Sequence, residues 1–372
     1  MERIKADVLI IGAGSGGLSI AAGASQMGAD VVLLEGHKMG GDCLNYGCVP
    51  SKALIAAGKQ AHAMRSGEKY GVTPVMPEVN YAAAKDHVHK VIETIAPVDS
   101  QERFEGFGIR VIRAFGRFIS PTEVQAGDAI ISARRIIIAT GSGPFVPPIP
   151  GIDGVTYYTN ENIFDLREKP DHLIVIGGGP IGMEMAQAHI RLGSKVTVIE
   201  GAKAMGKDDP EAAAIVLDHL RAEGVEIVEE AQAEEISQDG DVISVKTPKG
   251  TFSGSHLLMA VGRKVNIDTL DLDKANVAHD RAIKVGTDLR SVTNKKVYAV
   301  GDAAGGLQFT HVAGYHAGVV IRSMLFGLPS EQRTDHIPWV TFTDPELAQV
   351  GLTEADAKKT HGSHAVTVAR FD

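Results

Sequence analysis

The stretch Asp7-Val8-Leu9-Ile10-Ile11-Gly12-Ala13-Gly14-Ser15-Gly16-Gly17 decides the fold of this chain. A short apolar strand runs into a glycine cluster, and a helix of small residues follows from Leu18 to Met27. A second strand, Val31 to Leu34, ends in Glu35, 23 residues beyond Gly12. Strand, glycine turn, helix, second strand and terminal acid together make the fingerprint of a dinucleotide-binding βαβ unit. Gly12 permits the tight turn, Gly14 lets the backbone approach a pyrophosphate, and Gly17 lets helix and strand pack closely. The helix start offers its N–H groups to the phosphates, and Glu35 would hold ribose hydroxyls.

The pattern returns further on. Leu173-Ile174-Val175-Ile176 leads into Gly177-Gly178-Gly179-Pro180-Ile181-Gly182, a helix to about Leu192, and a strand, Lys195 to Ile199, that ends in Glu200. The spacing from Gly177 to Glu200 is again 23 residues. One glycine cluster alone is weak evidence, but two complete units predict two dinucleotide sites, with Gly177, Gly179, Gly182 and Glu200 serving the second. A carboxylate at position 200 accepts from a free 2′-hydroxyl and repels a 2′-phosphate, and no arginine follows it. That predicts NADH over NADPH.

The rest of the composition narrows the field. At 372 residues the chain is long enough for two or more domains, and its 42 glycines fit many tight turns or close approaches to ligand. The net charge of -9, with no Lys/Arg-rich run, argues against nucleic acid as a partner. Apolar runs such as Ile136–Ala139 are too short to span a bilayer, and no signal peptide precedes the first strand. A soluble cytoplasmic protein is expected.

Two cysteines, Cys43 and Cys48, follow the first unit in Gly40-Gly41-Asp42-Cys43-Leu44-Asn45-Tyr46-Gly47-Cys48-Val49-Pro50-Ser51-Lys52. They cannot form a disulfide framework, and histidines such as His37 and His62 lack zinc-ligand spacing, so no metal site is expected. Spacing alone leaves open two ordinary thiols on a helix or a redox-active pair. Residues five apart on a regular helix are poorly aligned for bridging, so a pair needs local distortion, for which Gly47 and Pro50 are suited. A thiol near a helix N-terminus has a lowered pKa.

The cysteine segment resembles the active-site motif of the class I pyridine nucleotide–disulfide oxidoreductases, the family of dihydrolipoamide dehydrogenase, glutathione reductase and mercuric reductase. The resemblance covers essentially the whole chain. Ile137-Ile138-Ala139-Thr140-Gly141 is similar to the strand and turn leading out of the first flavin segment, and Val297-Tyr298-Ala299-Val300-Gly301-Asp302 to the second flavin motif. It implies an FAD- and NAD-dependent enzyme that passes electrons between NADH and a disulfide, dithiol or metal-ion substrate through a Cys43–Cys48 disulfide. Gly12, Gly14, Gly17, Glu35, Lys52, Thr140, Gly141 and Asp302 are then expected at FAD, Asp302 on the ribityl chain and His311 near the flavin edge. Cys48 would lie nearer the flavin, Cys43 would be the interchange thiol, and Lys52, four residues past Cys48, would sit by flavin N5 with Glu184 as its partner.

Two departures stand out. Asp42 replaces the family's usual threonine, and an acid there should raise the pKa of Cys43 and repel pyrophosphate. The late His–Glu pair that reaches the partner subunit's site in the family is not among these residues, so the chain is expected to be a C-terminally truncated fragment of a homodimeric protein. The branch is expected to be dihydrolipoamide dehydrogenase-like or mercuric reductase-like, Asp99–Phe104 and Phe309-Thr310-His311 being nearer the latter. Glutathione reductase, which generally has lysine where Ser51 stands and prefers NADPH, fits less well. The competing readings are a flavin-dependent NADH:quinone or oxygen oxidoreductase with incidental cysteines, and a nucleotide-sensing module without turnover.

The expected architecture is α/β, with two Rossmann-like domains and the start of an α+β interface domain. The FAD domain would occupy 1–150 and 275–335, interrupted by a helical excursion from Pro50 through Lys85–Arg103. The NAD domain would span 151–274 and the truncated interface domain 336–372. The proline-rich Val146–Gly151 marks the first boundary.

Overall fold

A computed structural model describes residues 1–371, so Asp372, the last residue of the expected interface segment, lies outside the described residues. The chain divides into two compact units. The first comprises Met1–Pro50, His89–Gly143 and Arg263–Arg333. The second comprises Ser51–Val88, Pro144–Gly262 and the chain from Thr334 onward.

The first unit is built on a seven-stranded sheet. Its central strand, Glu2–Ile11, pairs in parallel with Val31–Leu34 on one side and Ala129–Ile138 on the other. Arg110–Ile112 extends one edge, and Val297–Ala299 pairs with the end of Ala129–Ile138. An antiparallel meander, Gly116–Ser120 and Glu123–Ala126, joins the start of that strand. These strands read as unbroken apolar runs because both faces are covered. Leu9, Ile11, Val32, Leu34, Ile136 and Ile138 enter one hydrophobic cluster, while Val8, Ile10, Val31, Leu33 and Ile137 enter the other. The period of two along each strand feeds both cores. Helices Ser15–Gln26 and Thr310–Phe326 pack on the second of these faces.

The second unit carries a four-stranded parallel sheet in the order Glu226–Val228, Lys195–Ile199, His172–Ile176, His256–Met259. Helix Pro180–Arg191 connects its two central strands, as the glycine fingerprint requires. An antiparallel three-stranded sheet, Glu235–Asp239, Val242–Thr247 and Gly250–Gly254, closes one side of its core. The excursion is two helices, Cys48–Arg65 and Tyr81–Ile95, separated by the glycine- and proline-bearing segment. Toward the C-terminus a hairpin, Pro338–Thr341 with Leu347–Val350, precedes helix Glu354–His361.

The packing boundaries differ from those read off the prolines. Ile149 is buried with Ile152 and Val155 in the second unit's core, so the unit begins before the Val146–Gly151 connector rather than after it. The chain returns at Arg263 rather than near residue 275, because Val265, Ile267, Leu270 and Leu272 are buried in the first unit.

Candidate active site

In the first unit each fingerprint glycine has a distinct steric reason. Gly12 has φ +109°, and a Cβ there would lie 2.4 Å from the Ala139 carbonyl oxygen. A Cβ at Gly17 would lie 1.9 Å from the Gly12 carbonyl oxygen. A Cβ at Gly14 would have the Gly41 Cα, at 3.9 Å, as its nearest neighbour, so that glycine keeps the loop open on its outer side. The second unit repeats this arrangement. A Cβ at Gly177 would meet the Ala260 oxygen at 2.4 Å, one at Gly182 the Gly177 oxygen at 2.0 Å, and one at Gly179 nothing within 4 Å. Gly12, Gly17, Gly177 and Gly182 are fixed by packing, whereas Gly14 and Gly179 are small toward the space a ligand would fill.

The two strand-end acids are also used alike. Glu35 accepts hydrogen bonds from the Ala13 and His37 N–H groups at 2.8 and 2.7 Å. Glu200 accepts from the Gly178 and Ala202 N–H groups at 2.7 and 2.8 Å. Each carboxylate thus holds its glycine loop and the turn after its own strand in place, a task beyond the ribose contact expected of it.

The cysteines do not share a helix. Cys43 lies in the short helix Gly41–Asn45, the chain breaks at Tyr46–Gly47, and Cys48 is the first residue of Cys48–Arg65. Pro50 falls in the opening turn of that helix, where its missing N–H costs nothing. Gly47 folds back over the first cysteine, a Cβ there coming within 3.3 Å of the Cys43 Cα. The distortion that bridging needs is therefore a helix break. The Cys43 thiol is pushed well above its ordinary range by its hydrogen bond to Cys48, then by burial and the charge of Cys48. Thr310, whose Oγ1 lies 3.4 Å from the Cys48 sulfur, pulls the other way.

Asp42, expected to raise the Cys43 pKa and repel pyrophosphate, has a cationic partner. Its carboxylate meets Arg263, Oδ1 to Nη2 2.9 Å. Arg263 also donates through Nε to the Ser142 hydroxyl and through Nη2 to the Ser142 carbonyl, both at 2.7 Å, and stands 3.9 Å from Asp302. Ser142 Oγ donates in turn to Asp302 Oδ2. Burial pushes the Asp302 pKa up, against the Ser142 hydrogen bond and the Arg263 charge. Gly301, just before it, donates its N–H to Nδ1 of buried His316 at 3.1 Å, which fixes the turn. His311 is exposed at the start of Thr310–Phe326, stacked on Phe309 with centroids 5.4 Å apart. Thr140 Oγ1 is buried without a hydrogen-bond partner. That orphaned hydroxyl, with the open face of Gly14, fits a bound dinucleotide in this unit.

In the second unit Lys52 and Glu184 meet as expected, Nζ to Oε2 3.0 Å. Close approach of the helices Cys48–Arg65 and Pro180–Arg191 allows it, since a Cβ at Gly58 would stand 3.2 Å from the Ala188 carbonyl oxygen. The other Glu184 oxygen accepts the Phe342 N–H at 2.9 Å, and the Lys52 ammonium lies 4.4 Å from the Phe342 ring centroid. Arg263, Ser142, Thr310 and Phe342 were not anticipated. Only the position of Thr310 beside the second flavin motif offered a sequence signal.

The pyridine nucleotide-disulphide oxidoreductase family matches residues 6–317, and the dimerisation domain of that family matches 337–372. The chain belongs to the pyridine nucleotide-disulphide oxidoreductases, whose members are FAD-dependent and use NAD(P)H. It is 33% identical to a mercuric reductase of Lysinibacillus sphaericus, over 95% of this chain and 66% of the relative. It is likewise 33% identical to a dihydrolipoyl dehydrogenase of Chlamydia trachomatis, over 95% of this chain and 77% of that one. A solved structure of the HOCl-induced flavoprotein disulfide reductase RclA from Escherichia coli superposes with a TM-score of 0.84 at 29% identity, covering 95% of this chain and 79% of RclA. The chain spans between 57% and 66% of the length of the mercuric reductases from Bacillus cereus and Lysinibacillus sphaericus.

Among the described residues no cluster of three or more His, Cys, Asp or Glu side chains could hold a metal ion. No described helix is long and apolar enough to cross a membrane.

Proposed function

We propose that this chain carries the electron-transfer core of an NADH-dependent disulfide oxidoreductase working through Cys43 and Cys48. The observation that carries the reading is the placement of the pair: Cys43 and Cys48 flank the helix break at Tyr46–Gly47, and the Cys48 sulfur lies 3.4 Å from Thr310 Oγ1. FAD, when bound, would supply the two-electron relay between NADH and the cysteines. The remaining work falls to side chains. The Cys43–Cys48 bond breaks on taking up two electrons, leaving Cys48 as the thiolate and a proton on Cys43. Cys43, once deprotonated, exchanges with the substrate sulfur. In the first unit Thr140 and Asp302 would hold FAD, Asp302 at its ribityl chain, and in the second unit Lys52, held by Glu184, would supply the fixed positive charge. Glu200 favours a free 2′-hydroxyl, hence NADH, and a clear preference for NADPH in initial-rate comparison would contradict that role.

The substrate class is a small disulfide or dithiol, or a metal ion delivered to the thiols. Dihydrolipoamide turnover without mercuric-ion reduction would assign the first, and the reverse the second. Residues 336–372 serve as the opening of a homodimer interface. The reading is tested by Cys48→Ser. FAD and NADH should still bind while NADH-dependent substrate reduction is lost. Disulfide reduction at the wild-type rate in that variant would overturn the assignment.

A further inference from the structure

We infer that Arg263 is a positioning residue for FAD, neutralising the acid at position 42 so that the cysteine-bearing turn can lie beside the flavin's phosphates. This rests on the assignment of FAD to the first unit. Gly41, the residue before Asp42, packs directly on Gly14, and a Cβ at Gly41 would stand 2.7 Å from the Gly14 Cα. Asp42 therefore follows at once on the contact with the glycine that keeps the loop open to a pyrophosphate. An uncompensated carboxylate so placed would oppose a dianionic ligand.

Its carboxylate is instead held on both sides. Oδ1 is on the Arg263 guanidinium, and Oδ2 packs over Gly47, where a Cβ would come within 2.7 Å of it. The Arg263 side chain is only 13% exposed, and the Ser142 hydroxyl and carbonyl fix its plane. The same guanidinium faces Asp302, the acid expected at the ribityl chain. One cation thus serves two carboxylates, reached from residues 42, 142, 263 and 302, all in the first unit. Burial and the Asp42 charge both push Asp302 upward, so losing Arg263 would leave two acids facing each other and the ligand.

A double-mutant cycle with Asp42→Asn and Arg263→Gln tests the coupling, read as the dissociation constant for FAD in reconstitution of apoprotein followed by flavin fluorescence. Arg263→Gln should weaken FAD binding about tenfold, and Asp42→Asn should recover roughly threefold in that background while changing the wild type little. NADH binding and far-ultraviolet circular dichroism should not move. Should Arg263→Gln fail to fold, Arg263→Lys, which keeps the charge but loses the fork, enters the same cycle with a smaller loss expected. Equal effects of Asp42→Asn in both backgrounds, in a protein that holds FAD, would overturn the inference alone. A wild-type chain that binds no FAD would instead overturn the reading beneath it.

Discussion

Lys85 offers the sharpest physical test of the fold around the excursion helices. It is fully buried in helix Tyr81–Ile95, its Nζ donating to the Ile163 carbonyl at 2.9 Å and standing 5.1 and 5.7 Å from the Tyr81 and Phe164 ring centroids. Burial lowers its pKa to about 7 from an ordinary 10.5, with Asp165 opposing weakly. The folded state thus binds fewer protons than the unfolded chain between those two values, and its stability rises with pH across that window. At about 1.4 kcal/mol per pH unit, the full penalty is on the order of 5 kcal/mol, present below pH 7 and gone above about 10.5. Lys85→Met removes the penalty and strands one carbonyl, at a pH-independent cost of about 1–3 kcal/mol. The variant should therefore be more stable than wild type near pH 7, with the advantage falling as pH rises and reversing by about pH 10. Urea unfolding of both proteins at several pH values from 7 to 10 measures it. A stability difference that does not change with pH would refute the reasoning, whatever its sign.

The remaining predictions concern the dinucleotide loops and the second unit. Gly179→Ala should fold normally yet weaken NADH binding at least about tenfold, whereas Gly182→Ala should destabilise or misfold, because only the latter methyl meets backbone. Equal loss of secondary structure in the two would contradict this. Glu184→Gln should lower stability by about 1–2 kcal/mol and slow flavin reduction by NADH, measured by denaturation and stopped flow; an unchanged reduction rate would separate Glu184 from the reaction. Arg191→Met removes the cation that meets Glu223 at 2.7 and 2.6 Å and Asp344 at 3.0 Å, leaving Glu223 with the Gln187 amide at 2.8 Å. It should cost about 3–5 kcal/mol, and a loss under 1 kcal/mol would mean that network is slack.

Both fingerprint units were legible because their signals are local: glycines at fixed offsets, an apolar strand before them and an acid at the end of the next strand. The Lys52–Glu184 contact was legible only through the family resemblance, since the two residues lie on separate helices whose approach depends on Gly58. The cysteine spacing suggested distortion but not a complete helix break, because propensity says little about a turn held by packing against Asp42 and Cys43. Asp42 looked disruptive in sequence, as its partner Arg263 is 221 residues away. That the second compact unit resumes at Pro144 was not legible, because Ile149, among the prolines at 147, 148 and 150, is a core residue. Long-range burial of that kind leaves no periodic trace.

The central claim is electron flow through Cys48, and an anaerobic NADH titration of the FAD-loaded protein tests it most directly. Two electrons should give a long-wavelength thiolate-to-flavin charge-transfer band, lost in Cys48→Ser. Simple bleaching of the flavin without that band would contradict the account and leave the cysteines as bystanders.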